Sequence, residues 1–144
     1  MEVPFRRLDP EAVLPTAQHP GDAGLDLRAN ADVEVLPGAR AMVPTGVAVA
    51  IPPGHAGLVL PRSGLASKRG LTLANAPGLI DAGYRGEVIV AAVNLDRSDA
   101  VKIARGDRIA QLVIVAVPEV EPVWAERLSG SARGDGGFGS TGSS

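Results

Sequence analysis

Five short stretches of this 144-residue chain carry side chains whose types and spacing could do chemistry. The most pointed is Asn75-Ala76-Pro77-Gly78-Leu79-Ile80-Asp81-Ala82-Gly83-Tyr84-Arg85-Gly86. Here a Pro-Gly turn and an apolar pair precede one carboxylate, a glycine hinge and the chain's single tyrosine. Asp81 and Gly83 also read as ordinary hairpin turn chemistry. Nothing in that chemistry calls for a tyrosine. A ring beside a carboxylate on a tight loop would give a sugar or base a stacking surface next to a group that activates water.

Two stretches suit phosphate. Pro61-Arg62-Ser63-Gly64 joins a fixed turn, a guanidinium fork, a hydroxyl and a glycine that admits a ligand to the backbone. A surface turn with a helix-capping serine is the plainer account of the same residues. Arg133 to Thr141 is glycine-rich, so its amides could wrap phosphates while Arg133 adds charge and Ser140 and Thr141 add hydroxyls. The Lys and flanking elements of a Walker loop are absent. Phe138 is one of only four aromatics, with Phe5, Tyr84 and Trp124, and has nothing local to pack on. It would stack on a ligand or dock on another subunit. A disordered tail and an integrin-type Arg133-Gly134-Asp135 tripeptide are the competing readings.

The remaining two are less specific. In Asp22-Ala23-Gly24-Leu25-Asp26-Leu27 a strand would put Asp22, Gly24 and Asp26 on one face, where two acids could hold a hydrated cation through its waters. A turn followed by a solvated strand face explains the same pattern. In Arg105-Gly106-Asp107-Arg108-Ile109-Ala110-Gln111-Leu112 a turn leads into an apolar strand. Gln111 is the exception there, a polar residue that needs a hydrogen-bond partner if its face is buried.

The elements that must position these residues are short strands. Gly and Pro punctuate the chain too densely for ordinary helices, from Pro20-Gly21 through Pro44 and Pro52-Pro53-Gly54 to Pro77-Gly78. Strand character falls at Val33 to Leu36, Gly46 to Ile51, Ala56 to Leu60, Glu87 to Asn94 and Ile109 to Val117. The last run is nearly continuous apolar, which predicts a strand covered on both faces. One helix of a turn or two is expected over Ser63 to Arg69, stopped by Gly70. The pattern is an all-β sandwich or barrel with at most one short helix. Residues 1–132 read as a single domain and 133–144 as a flexible arm, whose composition cannot offset the entropy of ordering itself.

Composition narrows the function. The net charge is −2 and the sequence pI about 5.6, against the basic footprint of a nucleic-acid or anionic-membrane binder. With no cysteine and two histidines, a thiolate nucleophile, a disulfide framework and a His-rich metal cage are excluded or disfavoured. No run reaches the roughly 20 apolar residues of a membrane span, and the start lacks a signal peptide's apolar stretch. A cytoplasmic protein is expected.

In this order the five stretches resemble the motifs of the trimeric dUTPase family, from about Asp22 to Thr141. The resemblance implies a jelly-roll-like fold, a homotrimer with active sites at subunit boundaries, and an exchanged C-terminal arm. It implies hydrolysis of dUTP to dUMP and pyrophosphate, which keeps uracil out of DNA and supplies dUMP for thymidylate synthesis. Asp81 matches the catalytic carboxylate that orients water at the α-phosphorus. Arg62, Ser63, Gly64 and Gln111 would hold phosphates, and Asp26 would touch Mg²⁺ through water, the ion being held mainly by the substrate. Asn75 and the backbone from Gly78 through Ile80 to Tyr84 would meet the uracil edge, with the Tyr84 ring against the deoxyribose. From the arm, Arg133, Gly139, Ser140 and Thr141 would grip the outer phosphates while Phe138 stacks on uracil. Leu25 stands where many members carry an aromatic. The rival readings are a dCTP deaminase of the same fold and a catalytically silent nucleotide-binding trimer.

Overall fold

The computed structural model describes residues 1–139 and Gly142. In chain order the elements are β1 (Phe5–Arg7), β2 (Leu25–Arg28), β3 (Val33–Val35), β4 (Arg40–Val49), β5 (His55–Pro61), α1 (Ser63–Arg69), β6 (Leu71–Leu73), β7 (Gly78–Ile80), β8 (Glu87–Asn94), β9 (Val101–Ile103) and β10 (Arg108–Ala116). They build two four-stranded antiparallel sheets, β1-β4-β8-β6 and β2-β10-β5-β7, and a β3-β9 ribbon. The all-β expectation with one short helix holds. No helix among the described residues is long and apolar enough to cross a membrane.

The strands form because β-branched residues alternate with residues that tolerate solvent. In β8, Val88, Val90 and Ala92 are buried while Glu87, Ile89, Ala91 and Val93 are not. Period-two alternation turns the first set toward the core. There they meet Leu27, Val43, Val49, Ile51 and Leu112. Each fully buried Val, Leu or Ile contributes about 1.5–3 kcal/mol relative to exposure. Asn94 is also fully buried, and its amide donates to Val35 and Asp99 carbonyls at 3.0 and 2.8 Å while its oxygen accepts from Asp96 N.

Two strand expectations need correction. Pro44 was read as punctuation, yet β4 passes through it, paired with Ile89 before the register slips between Pro44 and Ala48. Gly46, at φ +70°, absorbs the bulge, and Asn30 N donates to the Pro44 carbonyl. β10 is not covered on both faces: Ala110 and Leu112 are buried on one, with Ile114 partly so, while Gln111, Val113 and Val115 on the other are partly open. A run of apolar letters does not distinguish a face covered by the same chain from one left for something else.

Helix α1 spans the expected residues, and Gly70 ends it in the left-handed conformation at φ +67°. A side chain at Gly70 would lie 2.8 Å from Asp96 N. Glycine is therefore demanded there twice, by backbone angle and by space.

Candidate active site

The structure gathers the chemistry-bearing residues into two separate concavities. The first, about 190 Å³, lies at the base of the tight turn that carries the chain from β7 in one sheet to β8 in the other, a hairpin bend whose arms do not pair with each other. Its walls are Val59, Val88, Ile89 and Ala91, and its rim carries Asn75, Gly78, Ile80, Asp81, Tyr84 and Glu87. β7 pairs with β5 and ends the sheet, so its other edge offers backbone donors and acceptors without a strand partner among the described residues. Such an edge is a template for any flat group that presents donors and acceptors in line.

The hairpin is held rigidly. Tyr84 N donates to the Asp81 carbonyl at 3.0 Å, closing the turn, and the Arg85 guanidinium donates to the Ala82 and Tyr84 carbonyls at 2.6 and 2.8 Å. Tyr84 Oη donates to the Glu87 carbonyl at 2.9 Å. Glu87 in turn accepts from Gly46 N at 2.8 Å, which ties the hairpin to the β4 bulge. Sequence reasoning missed Glu87; an acid at the head of an alternating strand was its only signal. The Asp81 side chain is exposed at this rim, beside the half-exposed Tyr84 ring.

The second concavity, about 480 Å³, is polar and lies over β2, β5 and β10. Asp22, Gly24, Asp26, Arg62, Ser63, Gly64 and Gln111 line it, with Leu60 and Val113. Three of the five sequence stretches therefore converge on one cleft. Asp26 is 9% exposed and stands between two guanidinia, Arg62 Nε at 3.4 Å and Arg108 Nη1 at 3.3 Å. Arg62 Nη1 also donates to the Arg108 carbonyl at 3.2 Å. Arg108 does not itself line the cleft, but it shares with Arg62 the buried acid that does.

Ser63 is not the helix cap. Arg62 occupies that position without a side-chain capping bond, and exposed Ser63 opens the first turn, whose leading amides have no intrahelical acceptor. The hydroxyl and those amides face the cleft region together. Asp22 lies before β2 rather than in it, and its carboxylate accepts from His19 N. Gln111 answers its buried-amide question by donating to the Pro61 carbonyl at 3.2 Å. Leu25 packs against the core, as a residue of packing rather than chemistry.

The two concavities share no lining residue. Val59 borders the first and Leu60 the second, and neighbours along a strand point to opposite faces. The register agrees: Gln111 lies opposite Leu60, while Leu112 lies opposite Val59 and Val59 opposite Gly78. Leu79, which also lines the pocket, lies opposite Leu58 and so shares the face of Leu60 and Gln111; the pocket therefore wraps the free edge of β7, apart from the cleft but not confined to one face of the sheet.

The arm stands apart from both. From Val117 to Gly139 only Gly136 is less than exposed, and there is no regular element. Arg133 Nε donates to the Gly136 carbonyl at 2.7 Å, and Phe138 is 113% exposed. Ser140 and Thr141 lie outside the described residues.

For a divalent cation, no cluster of three or more acids or histidines stands among the described residues. The Asp26 carboxylate is already matched by two positive groups. This donor set fits an ion held by a ligand's own oxygens and only brushed, through water, by protein; it does not fit a protein-built cage.

Comparison with known proteins gives a consistent result. A family model described as dUTPase matches residues 10–142. The deoxyuridine 5'-triphosphate nucleotidohydrolase of Thermobifida fusca is 56% identical over 142 residues, 99% of this chain and 79% of that protein. That of Mycolicibacterium gilvum is 55% identical, over 94% of this chain and 92% of its own. Among solved structures, the dUTPase of Staphylococcus bacteriophage 80alpha with dUPNHPP superposes at a TM-score of 0.93, with 33% identity and 99% of both chains covered. A mutant dUTPase of phage phi11 of S. aureus, solved with a structural Mg(II) ion, superposes at 0.84 with 30% identity over 90% of this chain and 100% of that one.

Proposed function

This chain belongs to the dUTPase family, and from that premise we propose that it hydrolyses dUTP to dUMP and pyrophosphate at sites assembled from more than one copy of itself. The observation that carries the reading is the hairpin pocket: an apolar slot of base-like dimensions, rimmed by a free strand edge, a carboxylate and a ring. The free edge of β7, with Asn75, pairs with the donor and acceptor edge of uracil as a neighbouring strand would. Its close walls leave no room for thymine's methyl. The Tyr84 ring, tethered by its hydroxyl to Glu87, lies against the deoxyribose and disfavours a 2′-hydroxyl.

Asp81 accepts a hydrogen bond from the attacking water and aims it at the α-phosphorus. Carboxylates are weak bases, so placement of that water contributes more to the rate than proton affinity does. In the polar cleft, the Arg62 guanidinium, Ser63, the Gly64 backbone and the Gln111 amide hold the phosphates through hydrogen bonds that strengthen as charge develops. Asp26 keeps Arg62 oriented and would meet, through water, a Mg²⁺ carried in on the phosphates, where the ion would supply charge neutralisation.

The two concavities share no lining residue, and this supports a homotrimer in which the hairpin of one copy faces the cleft of another. The extended segment after Val117 supports the same assembly: residues 133–144 close over a neighbour's site, with Arg133, Gly139, Ser140 and Thr141 at the outer phosphates and Phe138 on the base. Residues 1–132 are the folded domain. Acting on the nucleotide pool, the protein works in the cytoplasm.

The test is pyrophosphate release from dUTP, dTTP, dCTP and UTP with Mg²⁺. Release from dUTP alone is expected. Ammonia from dCTP, or binding of dUTP without release, overturns the reading.

A further inference from the structure

Two glycines of the site are not explained by backbone conformation. Gly24 and Gly86 both lack a positive φ, so either backbone would accept alanine. What forbids a side chain is a neighbour. A methyl at Gly24 would overlap Gln111 Oε1 and sit 3.2 Å from Gln111 Cβ and Cδ. A methyl at Gly86 would stand 2.5 Å from Tyr84 Oη and 2.7 Å from its Cζ.

In each case the crowded atoms belong to a side chain that the proposed reaction uses, and that side chain is tethered at its tip. Gln111 donates to the Pro61 carbonyl and Tyr84 to the Glu87 carbonyl. The glycine fixes one side of the group and the hydrogen bond fixes its end. The space beneath Gly64 and Gly83 is open, and Gly57 meets core side chains instead, so this arrangement is not general to the chain's glycines.

We propose that Gly24 and Gly86 are positioning residues: the absent methyl is the seat on which Gln111 and Tyr84 lie, so Gly24 governs phosphate capture and Gly86 governs choice of the deoxy sugar. The proposal rests on the dUTP-hydrolysing reading above. Substitution should leave the fold intact, because the closest atoms are the far end of a flexible amide and a ring on an exposed hairpin, and the one root atom met, Gln111 Cβ at 3.2 Å, need give only slightly.

Double-mutant cycles separate a seat from a general defect, since only coupled residues depart from additivity. Gly86→Ala is expected to lower the preference for dUTP over UTP by about tenfold, and to lower it no further in a Tyr84→Ala background. Gly24→Ala is expected to lower kcat/KM for dUTP by about a hundredfold with the sugar preference kept, and to add nothing to Gln111→Ala. Additive losses in both backgrounds overturn the proposal. A direct readout needs no activity: the chain has one tyrosine, so the ring ε-CH NMR signal of a ring-labelled sample belongs to Tyr84 alone. Gly86→Ala is expected to move that signal in the nucleotide-free protein, and an unmoved signal overturns the seat. A wild type without pyrophosphate release but with the signal moved defeats the functional reading and sustains the seat.

Discussion

The hairpin pocket and the polar cleft recognise by different means. The pocket is apolar inside and polar through backbone, at the unpaired edge of a three-residue strand. The cleft works through side chains, a buried acid balanced between two arginines with an amide and a hydroxyl beside them. Backbone edges discriminate by shape and register, whereas guanidinia attract charge almost regardless of what carries it. On the proposed function, the contrast assigns base and sugar selection to the hairpin and affinity for the triphosphate to the cleft.

The largest effect should come from removing Asp81, the exposed carboxylate of the pocket rim, since the other rim acid, Glu87, is engaged by Gly46 N. Asp81→Ala is expected to cut pyrophosphate release by about a hundredfold or more while a nonhydrolysable dUTP analogue still binds; calorimetry showing lost binding would blur the division between the two concavities. Next, Asp81→Ala and Gln111→Ala chains, each lowered about a hundredfold alone, should regain roughly a quarter of the wild-type sites when unfolded together and reassembled in equal amounts. No regain in the refolded mixture would mean that one copy supplies both concavities of a site. Phe138→Ala should raise KM for dUTP about tenfold, as loss of one base–aromatic stack does, with Phe138→Trp restoring it; steady-state kinetics read this directly.

The smallest effect lies away from both. Amides of Asp99 and Ser98 donating to Asp96 hold its carboxyl below the ordinary aspartate value. A depressed value means stability is present above the ordinary carboxylate range and lost as pH falls through the depressed one. Asp96→Asn should therefore narrow slightly the difference in melting temperature between neutral and strongly acidic buffer, without altering nucleotide selectivity.

Local structure was legible where punctuation was strong. The limits of α1 and β8 follow from Gly70 and from a strict alternation that begins at Glu87. Pro44 misled because a bulge two residues later absorbs its missing donor. The capping reading of Ser63 failed by one residue, since local chemistry alone cannot place the first helical turn. What no single stretch could show is pairing across the sheet. The meeting of Asp26 with Arg62 and Arg108, and the separation of the cleft that holds Gln111 from the pocket beside Asp81, depend on which strands become neighbours and in what register.

Trp124 is the chain's one indole and stands 104% exposed in the segment that precedes the arm. Its emission is that of a solvated fluorophore whenever this segment is free, and it shifts to the blue whenever the segment lies down on another surface. The protein thus carries an intrinsic optical gauge of its own assembly, readable on dilution without any label.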